Sequence, residues 1–552
     1  MLKKIRSILA VFCFIAITLL FLDFTGTIQG WLGWLAKIQL LPAILAANFI
    51  TVAVLLVLTL VFGRIYCSVI CPLGVFQDGV FAVSRSRRSK KMKQAYSKEM
   101  KWLRYPLFVL MVIALVAGLG SLVALLAPYS AWGRIVQSIL APVWQFGNNL
   151  LAGIAEKHES YAFASREIWL KSLPTLIVAA VTLVAVSILA WRNGRTYCNT
   201  ICPVGTFLSF FSRFAMFRPV IDRSKCRSCH ACERKCKASC IDIENKKIDY
   251  SRCVDCFDCL ESCRFGALEY RYAWNKGKAG EGATDDEGPA AGAGRTAGAV
   301  QAKEAGKTTG AGKATGEGPD SVAGKTTGAG TDSGRRAFLL GSAIALGGSA
   351  LGGSAISASA QDKETDDKKR DGGLAEILPK TDPSRTLPLT PFGSESVKEF
   401  YDRCTACQLC VTVCPNNVLR PSSDFAHLMQ PQMFYAKGYC RPECVRCSEV
   451  CPAGAILPIT PEEKTSLKIG TARVDLDLCV VNSKSVSCGN CARHCPVGAI
   501  TMVRSNPEDP DSLMIPSVIE EKCIGCGACE HLCPARPLSA ITVDGVEIHH
   551  RI

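Results

Sequence analysis

Residues 226–236 read CRSCHACERKC and residues 253–263 read CVDCFDCLESC. Each run sets three cysteines at intervals of three and a fourth after three more residues. In runs of this order three thiolates grip one cubane iron–sulfur cluster and the fourth cysteine reaches to a neighbouring cluster, so the runs come in pairs. Crossing the fourth ligands assigns Cys226, Cys229, Cys232 and Cys263 to one cluster, and Cys253, Cys256, Cys259 and Cys236 to its mate. Two further pairs follow in the chain of 552 residues. The second gives Cys404, Cys407, Cys410 and Cys451, with Cys440, Cys444, Cys447 and Cys414; one of its spacings is a residue longer than standard. The third gives Cys479, Cys488, Cys491 and Cys533, with Cys523, Cys526, Cys529 and Cys495, its first loop widened by about six residues relative to the standard run. Proline follows Cys414, Cys451, Cys495 and Cys533, whereas Lys237 and Arg264 take that place in the first pair.

The 30 cysteines admit other readings. A disulfide framework belongs to small secreted domains, and repeated CxxC neighbours on this scale suit metal better. Zinc is served by two CxxC pairs across a spacer and has no use for the third and fourth cysteines of each run. The string from Cys226 to His230 is literally a c-type haem attachment sequence. Its continuation through Cys232 and Cys236 into a partner run favours the six [4Fe-4S] clusters.

The remainder of the chain is apolar at its start. Hydrophobic residues make up 49% of the sequence. The runs 8–22, 41–62, 106–127 and 173–191 are each long enough to predict a membrane-spanning helix. The first is too closely followed by more spans to be a cleaved signal peptide. Lys3, Lys4 and Arg6 precede the first run, and ten bases from Arg64 to Arg104 lie in or border the loop between the second and third. The positive-inside rule puts both in the cytoplasm. Residues 128–172, with Trp132, Trp144 and Trp169, are expected as an outer-face stretch. The net charge of +15 therefore reflects topology, and no nucleic-acid-binding module accompanies it.

Two boxes repeat, GRIYCSVICPLG from Gly63 to Gly74 and GRTYCNTICPVG from Gly194 to Gly205. Each closes a two-helix unit, which brings Cys67, Cys71, Cys198 and Cys202 to one membrane surface. Four thiolates there suit a cluster, another metal or dithiol chemistry. The bland alternative is that the prolines and glycines shape the helix exits while the cysteines merely pack. Cys13 reads as a packing residue, and Cys240 is unassigned. Asp23, Gln39, Gln137 and His158 are polar candidates near the outer face, and ordinary interfacial roles explain them as simply.

From about residue 274 to 334 the chain collapses into Gly, Ala, Thr, Lys, Asp and Glu, a composition that cannot bury a core. It ends in Arg335-Arg336-Ala337-Phe338 and a mild apolar run through Ile356, with Ala358-Ser359-Ala360 as a small-residue cleavage site. This looks like an internal twin-arginine signal, the null being a chance basic pair before a short apolar helix.

With these features, residues 1–272 resemble the NapH family of membrane quinol dehydrogenase subunits, and residues 333–552 resemble its NapG ferredoxin-type partner. The resemblance implies electron transfer from the quinol/quinone pool to a periplasmic reductase or cytochrome at the bacterial cytoplasmic membrane. NosR and the CcoG-type copper reductases share the CxxxCP module, which keeps reductive maturation of metal or thiol groups open as an alternative. The expected fold is multi-domain, an α-helical membrane domain with α+β 2[4Fe-4S] ferredoxin domains. It comprises four transmembrane helices with both boxes over 1–217 and a cytoplasmic ferredoxin domain over 218–272. A linker over 273–332, a signal or membrane helix over 333–360 and a second linker over 361–395 lead to a periplasmic polyferredoxin over 396–552. This topology separates the two ferredoxin parts by a hydrocarbon layer of about 30 Å, too far for one efficient electron step. A quinone, or a further centre held by the four box cysteines, would have to bridge it.

Overall fold

The computed structural model describes residues 1–23, 25–87, 95–158, 165, 167–274 and 378–552. The low-complexity linker, the twin-arginine string and its candidate cleavage site lie outside the described residues. One compact unit runs from Met1 to Lys278 and resumes from Leu378 to Ile552, so the helical part and both ferredoxin parts belong together.

Of the four apolar runs, two form helices long and apolar enough to cross a membrane, Leu2–Leu22 and Leu173–Asn193. The other two are broken. Residues 41–62 divide into Leu40–Leu45 and Phe49–Phe62, with Asn48 accepting the Thr51 amide at 3.1 Å as a cap that restarts the helix. Residues 106–127 divide into Lys101–Val116 and Gly120–Leu126, separated by Gly118 at φ +69°. The apolar outer faces stay exposed, including Val54, Val57, Val112, Ile113, Val181 and Val184. A continuous exposed surface of this kind is costly in water and suggests membrane association.

The stretch 128–172, expected at the outer face, is largely helical in its described residues. Pro128–Ile135 is a helix whose eight residues are all buried, and it runs into a π-helical turn, Val136–Leu140, and then the helix Ala141–Lys157. The Trp132 ring sits against Phe14 and Phe76, and its indole N–H donates to Thr18 Oγ1 at 3.2 Å. Gly133 makes the insertion possible, because a Cβ there would meet the Cys407 carbonyl at 2.4 Å.

The two ferredoxin parts are built alike. In the first, the strands Phe217–Ile221 and Leu268–Tyr272 pair antiparallel and close the domain. Between them the cysteine runs flank a small hairpin, Ile241–Asp242 with Lys247–Ile248. In the polyferredoxin, Leu467–Val474 pairs with Ile541–Arg551 around the third cysteine pair, whose runs flank the hairpin of Ile500–Arg504 and Met514–Val518. The second pair has its own hairpin, Leu419–Pro421 with Pro431–Met433.

Candidate iron–sulfur site

Each cysteine run leads into a helix of one turn, and the loop before it carries a backbone signature. Ser228 and His230, Asp255 and Phe257, Ala406 and Gln408, and Gly525 and Gly527 all have positive φ at the same two positions between ligands. Six of these eight are not glycine, so the left-handed conformation is imposed at a cost of about 1 kcal/mol each and marks the loops as functional. Alternation of right- and left-handed residues turns successive amides into a concavity that holds anions, as in many iron–sulfur sites. Amides also reach sulfur directly: Ala267 N–H donates to Cys263 Sγ, and Ala499 N–H to Cys495 Sγ, both at 3.2 Å. The two irregular runs differ as their spacings foretell. Val445 is not left-handed, and the widened loop holds an extra turn, Val480–Lys484.

The thiols gather in crossed quartets. Cys236, Cys253, Cys256 and Cys259 line one cavity, Cys414, Cys440, Cys444 and Cys447 a second, and Cys479, Cys488, Cys491 and Cys533 a third. Cys404, Cys407, Cys410 and Cys451 lie close enough for their charges to interact, as do Cys523, Cys526 and Cys495. Cys232 neighbours Cys226 and Cys229, with Cys263 in the same small core. All 30 cysteines are free thiols. Among the described residues no three His, Cys, Asp or Glu converge tightly enough to hold a single ion. Neighbouring thiols in this order suit the ligation of a cubane. Burial raises the Cys440 and Cys491 thiols to about 11 and Cys526 to about 12, so loading a cluster must expel these protons.

Successive quartets touch. Cys259 neighbours Cys232; Cys410 neighbours Cys447; Cys526 neighbours Cys440; and Cys529 neighbours Cys491. The first pair thus forms one link, and the second and third pairs form a chain of four.

The boxes meet as a pseudo-symmetric pair. Arg195 donates to the Cys67 carbonyl at 2.6 Å, and Arg64 donates to the Cys198 carbonyl at 3.3 Å, each arginine crossing to the other repeat. Gly74 and Gly205 leave room for those guanidinium groups, since a Cβ at either would lie 2.6 Å from the crossing arginine. Cys67, Cys71, Cys198 and Cys202 are all buried and interact electrostatically as a group. Gln77 Nε2 lies 3.2 Å from Cys198 Sγ, and the Gly205 amide 3.4 Å from Cys202 Sγ.

Several contributors escaped the sequence reading. Lys237, where the other pairs have proline, bridges Asp78 at 3.3 Å and Asp258 at 3.1 Å and so ties the first cluster loops to the boxes. Cys240 sits in the cluster cavity with its sulfur 3.5 Å from Cys236 Sγ. Lys464 donates to the carbonyls of Arg441 and Cys444, and Lys380 to those of Glu530, His531 and Cys533, fastening the loops around ligands. Tyr66 neighbours Cys67, Cys71 and Cys202, while Tyr129 neighbours Tyr66, Cys407 and Cys451. His230 pairs with Glu233 at 2.6 Å in its loop. Of the polar candidates, Asp23 accepts four local amides, Gln39 accepts the Tyr66 hydroxyl, and His158 ends a helix. Only Gln137 reaches a cluster loop. Cys13 is half-buried in its helix.

Comparison with known proteins agrees with this chemistry. A 4Fe-4S binding domain family matches residues 44–91 and 172–221, which contain the boxes. A 4Fe-4S dicluster domain family matches residues 484–536, and a 4Fe-4S binding domain family matches 397–420. The chain carries ferredoxin-type 4Fe-4S domains. This ferredoxin-type chain is 32% identical over 150 residues to the methylamine utilization ferredoxin-type protein MauM of Methylobacillus flagellatus, covering 26% of this chain and 63% of that protein. It is 33% identical over 135 residues to the MauM of Methylophilus methylotrophus, covering 24% and 59%. The chain therefore spans less than two thirds of the length of these relatives. The uncharacterized protein MJ0750 of Methanocaldococcus jannaschii is 25% identical over 277 residues, 50% of this chain and 97% of that protein. No solved structure matches. The family matches, the thiol arrangement and the relatives agree on an iron–sulfur electron-transfer protein of the ferredoxin type.

Proposed function

We propose that this protein is a membrane electron relay, taking electrons from the quinol pool and delivering them to a reductase or cytochrome beyond the polyferredoxin. It would act as a NapH-like and a NapG-like part fused in one chain, with six [4Fe-4S] clusters held by the quartets above and a further redox centre at the boxes. When held by four thiolates, a cluster passes single electrons at a potential set by charge, hydrogen bonds to sulfur and exposure. The chain's own residues supply the seclusion, the amides and the spacing.

One observation carries the reading. The four box cysteines, Cys256 of the first cluster pair and Cys407 of the second belong to a single core that also holds Tyr66 and Tyr129, with Tyr129 near enough to Tyr66 and Cys407 for their charges to interact. A centre in the boxes divides an otherwise prohibitive distance into shorter steps, and buried aromatic rings occupy the step toward the polyferredoxin.

The test replaces Cys67 and Cys198 together by serine in the full chain. Iron and sulfide should fall by the equivalent of one centre, and electrons placed on the first cluster pair should no longer reach an acceptor on the polyferredoxin side. Unchanged counts, spectra and transfer would sink the proposal. The similarity to methylamine utilization proteins favours one second reading, in which the relay serves the maturation or reduction of a partner enzyme without turning over quinol. Failure of a hydroquinone to reduce the clusters, and of a quinone to reoxidise them, would select it.

A further inference from the structure

A cavity opens where the helical part meets the second cluster pair. Its walls include Gln137, Trp144, Glu167, Trp169, Lys171 and Cys414. Three features set it apart. Gln137 lies in the π-helical turn Val136–Leu140, a distortion that recurs at functional sites. Its Oε1 accepts the Thr412 hydroxyl at 2.9 Å, so the turn is locked to the loop carrying Cys414. The cavity is also amphipathic. Trp144 belongs to the exposed apolar face with Leu140, Val143 and Phe146, whereas Glu167 and Lys171 bring opposite charges to the other end. Glu167 is itself held by Lys437 at 2.8 Å, and the same ammonium lies over the Trp169 ring.

The cavity holds about 60 Å³, so a ring enters it only edge-first; its walls match a flat ring for the indoles, oxygens for an amide and an ammonium, and an apolar tail that leaves along the lipid-facing side. It must also have reason to approach a cluster thiol. We infer that this cavity binds the head group of a lipid-borne quinone or hydroquinone, with Gln137 and Lys171 hydrogen-bonding its oxygens beside the cluster held by Cys414. The inference rests on the relay reading and adds the site. A hydroquinone there loses two electrons and two protons and becomes the quinone. The electrons leave one at a time to oxidised [4Fe-4S] clusters of the polyferredoxin, and the protons leave to water past the exposed Glu167.

The experiment uses the full chain in lipid nanodiscs and a photoreactive azidoquinone, with labelled peptides mapped by mass. Label should fall within 134–145, 167–171 or 412–417, and an unlabelled short-chain quinone should compete it away. Gln137→Leu and Lys171→Met should each weaken labelling about tenfold, the loss of one good hydrogen bond, while iron content and cluster spectra stay intact as the check on folding. Label landing elsewhere, labelling unchanged in both variants, or competition by phospholipid alone overturns the site. Reduction of the clusters by a hydroquinone, measured in parallel, separates the two failures. If reduction persists the relay reading survives without this site, and if wild-type protein shows neither labelling nor reduction both fall.

Discussion

Buried charge, added to close approaches at Gly63 and Gly194, joins the first ferredoxin domain to the helices, whereas the polyferredoxin meets them by close approach with an exposed ion pair, Glu167 with Lys437. At the first joint Asp78 meets Arg6 at 3.1 Å, Arg195 at 2.7 Å and Lys237 at 3.3 Å, while Asp258 takes Lys237 and Lys3. The Arg64 amide donates to Asp255 at 3.0 Å, and the Arg195 amide to the Lys237 carbonyl at 2.9 Å. At the second joint three small residues accept the polyferredoxin backbone and side chains. A Cβ would lie 2.5 Å from Asp402 at Gly118, 2.0 Å from the Tyr401 carbonyl at Gly120, and 2.4 Å from the Cys407 carbonyl at Gly133. A joint made of buried charge tolerates changes of shape better than loss of a partner. A joint made of close approach has the opposite weakness.

The largest effect should follow from unbalancing the first joint. Asp78→Ala leaves buried Arg6 and Arg195 without a carboxylate and Lys237 with Asp258 alone, and breaking a buried ion network in this way costs roughly 3–5 kcal/mol. Thermal unfolding of the full chain should shift accordingly, with faster proteolysis within 218–272. A loss below about 1 kcal/mol, the scale of an exposed pair, would mean that water reaches the network.

Among the described residues the second joint has no comparable buried charge, but the polyferredoxin beside it depends on a neutral histidine. His549 is buried, its Nδ1–H donating to the Ser394 carbonyl at 2.7 Å and its Nε2 lying 3.2 Å from Thr390 Oγ1. Burial lowers its pKa to about 4, against about 6.5 unfolded. Between those values the unfolded chain binds the extra proton, so the stabilisation is complete above about pH 6.5 and is lost as pH falls toward 4. The full loss is about 3.5 kcal/mol at about 1.4 kcal/mol per unit. Denaturant unfolding of wild type and His549→Gln across this range should show a steeper slope in wild type; parallel curves would remove the histidine from the account.

The cysteine spacing pointed to short loops of neighbouring thiols, because ligand order is a local property of the chain; which four thiols share a cluster belongs to the proposal. Lys237 was legible only as a departure from proline; its partners Asp78 and Asp258 are fixed by packing between distant segments. The insertion of Pro128–Ile135 was hidden for a similar reason. Ser130, Gly133 and Arg134 interrupt its apolar pattern, yet Gly133 is there to admit a carbonyl, and Arg134, buried with it, donates one guanidinium N–H to the Ala124 carbonyl at 2.8 Å. The breaks at 46–48 and 117–119 likewise belong to turns whose neighbours are remote in sequence. Pairing of the boxes was foreseeable from the repeat, but the exchange of arginines between them was not.

The smallest effect tests the fit of the second joint directly. Gly120→Ala places a methyl 2.0 Å from the Tyr401 carbonyl and 2.6 Å from Gln430 Nε2, whose bonds to Tyr401 and Cys404 hold the start of the second cluster pair. Backbone has to move, and overpacking of this kind costs about 1–3 kcal/mol. Gly147→Ala is the control, because nothing lies within 4 Å of its missing Cβ. There the added methyl should be neutral or stabilise by up to about 1 kcal/mol through helix propensity. Amide exchange at Tyr401–Cys410 should quicken in the first variant and stay put in the second. Equal exchange in both would show that the polyferredoxin is not held by close approach, and the contrast between the joints would reduce to the charges around Asp78.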